Sequence, residues 1–287
     1  MTDDPFVTHR NLLFTVAYEM LGSAVDAEDV VQETWLRWAE VDRAEVRDPR
    51  AYLVRVVTRQ ALNRLRSVAR LREDYVGEWL PEPLLTGPDV AEDVELAESV
   101  SIAMLTVLET LGPVERAVFV LHDVFDTPFQ EIAEVVGKTP AAVRQIAHRA
   151  RGHVGARRPR MQVDRHQQQV VVEKFLAAVS TGDVQALVEV LAPEVVVIAD
   201  GGGFAAASRK PISGAERVAS LLARAPRIAD FAASLVWING MPGVRIDAQD
   251  SATAVSLLIE NGRIVRIYGI RNPHKLGRLD EVVELRR

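Results

Sequence analysis

Cysteine is absent from the 287-residue sequence. This excludes disulfides and thiolate metal sites, and it fits a protein of the reducing cytosol. No apolar run approaches the length of a membrane span, and the opening segment MTDDPFVTHR is acidic and polar, unlike a signal peptide. We therefore expect a cytoplasmic protein that does not contact the membrane and that needs neither a metal nor a cofactor.

An excess of positive charge is absent too, since the net charge is −6. Arginines nevertheless crowd between Arg43 and Arg72 and again between Arg144 and Arg165, whereas acids crowd in 26–33 and 92–98. DNA responds to the potential within a Debye length and not to the global sum. The charge pattern therefore allows two DNA-binding patches and acidic surfaces that suit a protein partner.

The order of the helical and strand patterns divides the chain. Apolar residues recur at helical spacing up to about residue 155, except in the segment YVGEWLPEPLLTGP, whose three prolines and two glycines predict a linker. A helix is predicted over Glu92–Leu111, and ARRPRM marks a second boundary. Beyond it, two helices, the strand EVVVIA, a helix near 215–225 and four strand-like runs predict an α+β domain. Asn261-Gly262 predicts a hairpin turn within it.

The segment PFQEIAEVVGKTPAAVRQIAHRAR has the pattern of a helix-turn-helix. Gly137 suits a left-handed helix end, Thr139 an N-cap and Pro140 the first helical position. The second helix turns Val143, Ile146, Ala147 and Ala150 to one side and Ala141, Arg144, Gln145 and His148 to the other. Arginine can bond guanine and glutamine can bond adenine in the major groove, which favours a recognition helix. A surface pair of amphipathic helices is the alternative.

Two earlier helices carry charge on one face. In DAEDVVQETWLRW we expect Val31, Trp35 and Trp38 to pack in the core and the acids to face solvent. In DPRAYLVRVVTRQALNRLR an arginine face beside Tyr52 could follow a DNA backbone and stack a base. Either helix alone is also compatible with an ordinary solvated surface.

Their order resembles sigma-70-family transcription initiation factors of the extracytoplasmic-function type, over roughly residues 5–155. Asp26–Trp38 is similar to the family's region 2 signature, and PFQEIAEVVGKTPAAVRQIAHRARGHV is similar to region 4. The resemblance implies a multidomain protein. An all-α region 2 bundle would occupy residues 5–75, a linker 76–91 and an all-α region 4 helix-turn-helix 92–157.

The resemblance also implies site residues. The face that docks on core RNA polymerase, through its β and β′ subunits, would comprise Asp26, Glu28, Asp29, Gln32 and Glu33. The promoter −10 element would be opened and read by Arg47, Arg50, Tyr52, Arg55, Arg59, Asn63 and Arg66. The −35 element would be read by Lys138, Thr139, Ala141, Arg144, Gln145, His148, Arg149 and Arg151.

Residues 164–287 resemble a SnoaL-like α+β domain, a cone-shaped fold that one subgroup of these factors carries as a built-in regulator. Three motifs carry the resemblance, WLPEPL (79–84), DGGG (200–203) and NPHKL (272–276). They imply an intramolecular contact between this domain and the sigma core, involving Trp79, Leu80, Pro81, Asp200, Gly201, Gly202, Gly203, Asn272, Pro273 and Lys275. The subgroup has lysine where Phe204 stands and aspartate where His274 stands, and both departures remove charge.

Other functions stay open at this point. An enzymatic domain would use Asp200 or Asp247 as base and Tyr268 or His274 as donor, but three glycines after Asp200 are more typical of a turn. A small-molecule ligand in this domain is a further alternative, as is a domain that only adds stability. The chain as a whole could also be a free-standing helix-turn-helix regulator. An acidic docking helix would be superfluous there, so we expect a non-enzymatic sigma factor.

Overall fold

The computed structural model describes residues 4–157, 165–227, 231–248 and 251–287. These residues form two compact units. The helical unit comprises the described parts of Met1–Asp74, Leu105–Arg158 and Glu284–Arg287, and the mixed unit comprises those of Tyr75–Met104 and Pro159–Val283. The segment Tyr75–Met104, which follows the third helix of the chain, therefore folds with the described residues that precede Glu284 in the C-terminal part.

The helical unit contains two groups of helices. The first is α1 (Pro5–Leu21), α2 (Ala24–Ala39) and α3 (Pro49–Glu73), and the second is α7 (Pro113–Phe119), α8 (Phe129–Val136) and α9 (Pro140–Gly155). Gly22, at φ 65°, ends α1, and the Ser23 side chain accepts a hydrogen bond from the Asp26 N–H to start α2. The two groups pack on each other within this unit, since Arg116 of α7 is buried and donates to the Glu19 carbonyl of α1 at 3.0 Å.

The mixed unit combines short helices with one sheet. Its helices are α4 (Pro88–Glu92), α5 (Val94–Val100), α10 (Arg165–Thr181), α11 (Val184–Val190) and α12 (Ala215–Leu222), while α6 (Ile102–Leu108) begins in it. The strands are β1 (Leu85–Thr86), β2 (Leu191–Asp200), β3 (Ile212–Ser213), β4 (Ala232–Ile238), β5 (Met241–Ala248), β6 (Ser251–Glu260), β7 (Arg263–Ile270) and β8 (Val282–Val283). The sheet order is β3-β2-β7-β6-β5-β4-β1-β8, and β2–β7 and β1–β8 are parallel.

Both faces of the sheet are covered. Val255, Leu257 and Ile259 of β6 pack with α10, α11 and α12 on one face. Ala254 and Leu258 point to the other face, where they form a second core with Leu80 and Ile102. The nearly continuous apolar run of β6 reflects this double burial.

The predicted fold class, helical domains followed by an α+β domain, is confirmed. The Asn261-Gly262 hairpin is confirmed as well, with φ of 51° and 73°. The single helix expected over Glu92–Leu111 was wrong: Asp93 and Ser101 interrupt it, and Asp93 caps α5 by accepting from the Leu96 N–H. Most of the predicted ARRPRM boundary lies outside the described residues. No helix in the described ranges has the length and hydrophobicity of a membrane crossing.

Candidate functional site

The acidic face of α2 is partly neutralised by neighbouring arginines. Arg64 of α3 contacts the Asp26 carboxylate at 2.7 Å and that of Asp29 at 3.2 Å, and the bond to Asp26 raises the pKa of Arg64. Glu28 pairs with Arg10, whereas Gln32 and Glu33 are exposed. The predicted docking residues therefore lie along one helix, and Asp29 is exposed together with Gln32 and Glu33.

Trp35 was wrongly predicted to lie in the core, since its exposed fraction is 48%. The buried stripe of α2 runs through Val31, Thr34 and Trp38 instead. Thr34 can be buried because its hydroxyl donates to the Val30 carbonyl at 2.8 Å. Trp35 therefore adds apolar surface next to the predicted docking residues.

The basic face of α3 packs partly against α8. Arg55 contacts the Glu134 carboxylate at 3.1 Å, and Arg59 donates to the Glu134 carbonyl at 2.9 Å. Tyr52 is half-buried beside Trp38, with ring centroids 5.8 Å apart. The remaining predicted −10 residues are exposed: Arg47, Arg50, Asn63 and Arg66. In this conformation, two arginines predicted to bind the −10 element are held by α8.

The helix-turn-helix has the predicted local geometry. Gly137 has φ 68° and ends α8, and the Thr139 hydroxyl accepts from the Ala142 N–H at 3.2 Å to begin α9 at Pro140. The apolar side of α9 is buried, and its other side exposes Ala141, Arg144, Gln145 and His148, with Lys138, Thr139, Arg149 and Arg151 also accessible. Arg149 lies 3.8 Å from Glu115 and Arg151 2.5 Å from Asp123. The positions predicted to read bases thus lie on one exposed face of α9.

The three motifs WLPEPL, DGGG and NPHKL meet around the buried carboxylate of Asp200. Tyr75 donates its hydroxyl to one carboxylate oxygen at 2.5 Å, and the other oxygen accepts from the Leu80 N–H at 2.9 Å and from Lys275 Nζ at 2.7 Å. Lys275 also donates to the Leu80 carbonyl at 2.6 Å, and its ammonium lies 4.1 Å from the centre of the Trp79 ring. We call these five residues the Asp200 site. A buried charge is stabilised only when it is paired and hydrogen-bonded, and this carboxylate is both.

The parallel pairing of β2 and β7 explains why distant motifs converge here. Asp200 ends β2 and Ile270 ends β7, and these two residues are register partners. The chain segments that follow, DGGG and NPHKL, therefore leave the sheet at the same edge. The Asp200 carbonyl accepts from the N–H groups of Arg271 and Asn272, so the two motifs are also joined through the backbone.

The glycines after Asp200 allow the linker to approach. A Cβ at Gly202 would lie 2.3 Å from Asn272 Nδ2 and 3.0 Å from the Tyr75 hydroxyl, and Gly202 and Gly203 have positive φ. Gly201 is buried, and a Cβ there would lie 2.2 Å from the Ala205 carbonyl oxygen. Pro81 is buried and Pro273 is exposed. The glycine motif is therefore a close-contact turn, as the sequence predicted.

Phe204 and His274 contact each other. Their rings are 4.5 Å apart in an edge-to-face arrangement, and Phe204 is 67% exposed. Such an aromatic pair can hold the two motif loops together without charge. The two departures from the subgroup pattern therefore lie at a single contact.

The residues named for catalysis have other contacts. Asp247 is bound by Arg245 at 3.0 Å and lies half-exposed. Tyr268 is buried in the core formed with Leu80, and burial raises its pKa. Among the described residues, no three His, Cys, Asp or Glu side chains converge as metal ligands would.

Sequence reasoning missed Tyr75 and Asn239. Tyr75 was assigned to the end of region 2, yet its hydroxyl contacts both Asp200 and, at 2.8 Å, Asn272 Nδ2. Burial first, and then the bond to the Asp200 carboxylate, raise the pKa of Tyr75 above its ordinary value. Asn239 precedes Gly240 and so carries the same turn signal as Asn261-Gly262. That dipeptide was available in the sequence but was not used.

Comparison with known proteins identifies the families that match the two helical regions. The Sigma-70 region 2 family matches residues 6–71, and the Sigma-70, region 4 family matches residues 101–154. The ECF RNA polymerase sigma factor SigJ of Mycobacterium tuberculosis is 38% identical over 94% of this chain and 91% of its own. The probable ECF RNA polymerase sigma factor SigI of the same species is 34% identical over 93% of this chain and 92% of its own.

A solved structure shares the fold along most of the chain. The crystal structure of the M. tuberculosis extracytoplasmic function sigma factor SigJ matches with a TM-score of 0.74 and 34% identity, covering 94% of this chain and 96% of that one. Two sigma-70 regions and near full-length similarity to these relatives lead to one conclusion. This chain belongs to the extracytoplasmic-function sigma factors of RNA polymerase, within the sigma-70 family.

Proposed function

We propose that the protein binds core RNA polymerase through α2 and directs initiation at promoters read by α3 and α9. The exposed face of α9 supports the second half of this proposal because it presents Arg144 and Gln145 side by side. The acidic face of α2 supports the first half, with the β′ subunit as the expected contact. Action on the transcribing polymerase would place the protein in the cytoplasm.

Polymerase docking is tested by reversing charge on α2. Replacing Asp29 and Glu33 together by lysine should weaken binding to core polymerase and leave the fold intact, since exposed charges contribute little to stability. Undiminished affinity for core polymerase would exclude this face.

Promoter reading is tested on α9. Arg144→Ala should cost about 1–3 kcal/mol at one base position and relax its specificity. Arg149→Ala should weaken binding on all sequences and reduce its salt dependence. Unchanged footprints of holoenzyme with both variants would show that α9 is not the recognition helix.

We further propose that the C-terminal domain regulates initiation by holding the linker between regions 2 and 4. The observation that carries this proposal is the double contact of Asp200 with Tyr75 and with the Leu80 N–H. A linker fixed to a folded domain samples fewer conformations than a free one, which would restrict the promoter spacings that the two regions can bridge. A coupling of this kind is typically about 1–3 kcal/mol.

We propose no catalysed reaction for the C-terminal domain, although an α+β fold is compatible with an active site. The Asp200 carboxylate accepts hydrogen bonds from three donors of the protein itself, and these donors occupy the positions that a substrate would need. A small-molecule ligand stays a prediction without a supporting contact. A regulator acting without polymerase is disfavoured by family membership.

The regulatory proposal is tested by transcription in vitro with core polymerase on promoters whose element spacing varies base by base. Asp200→Asn should broaden the range of spacings that are transcribed, because it weakens the hold on the linker. Asp247→Asn is the matched control, since Asp247 also pairs with a cation but does not contact the linker motif. An identical spacing profile in wild type and Asp200→Asn would contradict the proposal.

A further inference from the structure

The turn between β4 and β5 makes a second contact with the linker, away from the Asp200 site. Asn239 and Gly240 have φ of 53° and 71°, as a two-residue hairpin turn requires. Asn239 is nonetheless completely buried, which is unusual for the tip of a hairpin. The hairpin turn alone therefore does not explain why Asn239 is buried.

The Asn239 amide joins two separate segments. Its Oδ1 accepts from the Leu84 N–H at 2.9 Å, and its Nδ2 donates to the Val100 carbonyl at 2.7 Å. The backbone N–H of Asn239 also donates to the Leu84 carbonyl at 2.9 Å. Val100 is the last residue of α5, where a carbonyl has no partner within its own helix. One amide side chain thus satisfies both the linker and the end of a helix.

Gly240 completes this contact. Its N–H donates to the hydroxyl of buried Thr86 at 3.0 Å. A Cβ at Gly240 would lie 2.9 Å from both the Cα and the Cβ of Ala97 in α5. The turn is therefore packed so closely on α5 that only glycine fits.

The second Asn-Gly turn of the same sheet provides the comparison. Asn261 and Gly262 have φ of 51° and 73°, almost the same backbone, but both are exposed. A Cβ at Gly262 would meet nothing within 4 Å. Turn conformation alone therefore accounts for Asn261-Gly262 but does not account for the buried amide of Asn239.

We propose that Asn239 and Gly240 form a second linker-holding site, which positions the region 4 end of the linker while the Asp200 site holds the region 2 end. This proposal rests on the proposed regulation through the linker. The site recognises a backbone N–H and C=O pair at Leu84, a small hydroxyl at Thr86 and the carbonyl end of α5. Asn239 is a positioning residue, since it acts on promoter spacing only through the linker.

The test compares hydrogen exchange in full-length variants. Asn239→Gly keeps a residue that tolerates positive φ and removes only the amide. It should speed exchange in peptides covering 84–87 by roughly ten-fold or more, because the Leu84 N–H loses its buried acceptor. Asn261→Gly is the matched control and should leave those peptides unchanged. Equal exchange at 84–87 in wild type and Asn239→Gly, or equal acceleration in both variants, would overturn the proposal.

A second pair of variants distinguishes loss of the linker contact from general misfolding. Gly240→Ala and Gly262→Ala add the same methyl at nearly the same φ, but only the first meets α5. Faster exchange at 84–87 in Gly240→Ala alone, with unchanged exchange in α10, supports the site, whereas equal effects overturn it.

Transcription by holoenzyme distinguishes the second linker-holding site from the proposed regulation through the linker, on which it rests. Altered spacing preference with Asn239→Gly supports both proposals. Faster exchange with an unchanged spacing profile supports the linker-holding site and contradicts regulation through the linker.

Discussion

At the scale of single residues, the Asp200–Lys275 pair places two opposite charges in the protein interior. The Asp200 side chain is fully buried and that of Lys275 is 12% exposed. Removing one partner of such a pair leaves a buried charge without compensation, which typically costs about 3–5 kcal/mol. The pair therefore disfavours any arrangement in which either charge stays buried without its partner.

Asp200→Ala should accordingly lower the free energy of unfolding of the mixed unit by about 3–5 kcal/mol, measured by denaturant unfolding. Adding Lys275→Met to Asp200→Ala should recover part of that loss, because no charge stays buried. Additive losses in the double variant would show that the two side chains do not form a coupled pair.

Phe204 and His274 allow a charge-swap experiment. Phe204→Lys or His274→Asp alone should weaken the contact, whereas the two together should restore it as an ion pair. An exposed contact of either kind contributes at most about 1 kcal/mol. A double-mutant cycle on the unfolding free energy measures the coupling, and zero coupling would show that the rings merely lie close.

The raised pKa of Tyr75 predicts a loss of stability in alkali. Above about pH 10 an unfolded tyrosine loses its proton, whereas Tyr75 in the folded protein retains it beside Asp200, Asn272 and Lys275. Its contribution is thus complete below pH 10 and declines as the pH rises towards the folded pKa.

Tyr75→Phe should therefore show a smaller drop in unfolding free energy between pH 8 and pH 11 than wild type, as about one titrating tyrosine fewer predicts. Tyr268, whose pKa is raised in the same direction, should still contribute in the variant. Identical drops in both proteins would contradict the assigned bond.

At the scale of elements, α8 holds two arginines of α3 that are predicted to bind DNA. Glu134 holds Arg55 through its carboxylate and Arg59 through its carbonyl. By resemblance to the family these arginines read the −10 element. If that prediction holds, the contacts of Glu134 with Arg55 and Arg59 have to break before the −10 element is bound.

Glu134→Lys should raise the affinity of the full-length protein for a −10 oligonucleotide by up to about five-fold, since an exposed ion pair contributes about 0.2–1 kcal/mol. Glu131→Lys changes charge equally on the same helix and is the control for nonspecific attraction. Fluorescence anisotropy measures both, and equal gains would mean that charge alone is responsible.

The helices were easier to predict from the sequence than the breaks within them. Gly137, Thr139 and Pro140 act locally, so the helix-turn-helix could be predicted in detail. The break at Asp93 could not, because α5 depends on packing against Gly240, a residue far along the chain. Trp35 was misplaced for a related reason, since the helical period alone could not show that Thr34 would satisfy its hydroxyl and occupy the core stripe.

At the scale of the whole molecule, the sequence motifs predicted which segments come together. They did not predict the hydrogen bonds and ion pair that join these segments. WLPEPL, DGGG and NPHKL were grouped by resemblance, and parallel pairing of β2 with β7 brings the last two to one edge. Tyr75 lay outside every motif, so its bond across 125 residues of sequence had no local signal. Long-range polar contacts of this kind depend on the completed sheet.

The pairing of β1 with β4 and β8 also sets an order of events during synthesis. Ribosomes add about 5–20 residues per second, so synthesis of regions 2 and 4 is complete roughly 6–25 s before synthesis of Val282 and Val283. These two residues are the partners of Leu85 and Thr86. Nascent chains stalled near residue 160 should therefore be cut by protease at 75–87, and complete chains should resist. Each newly made molecule would then start with an uncovered linker, which becomes covered only after β4 and β8 have been synthesised.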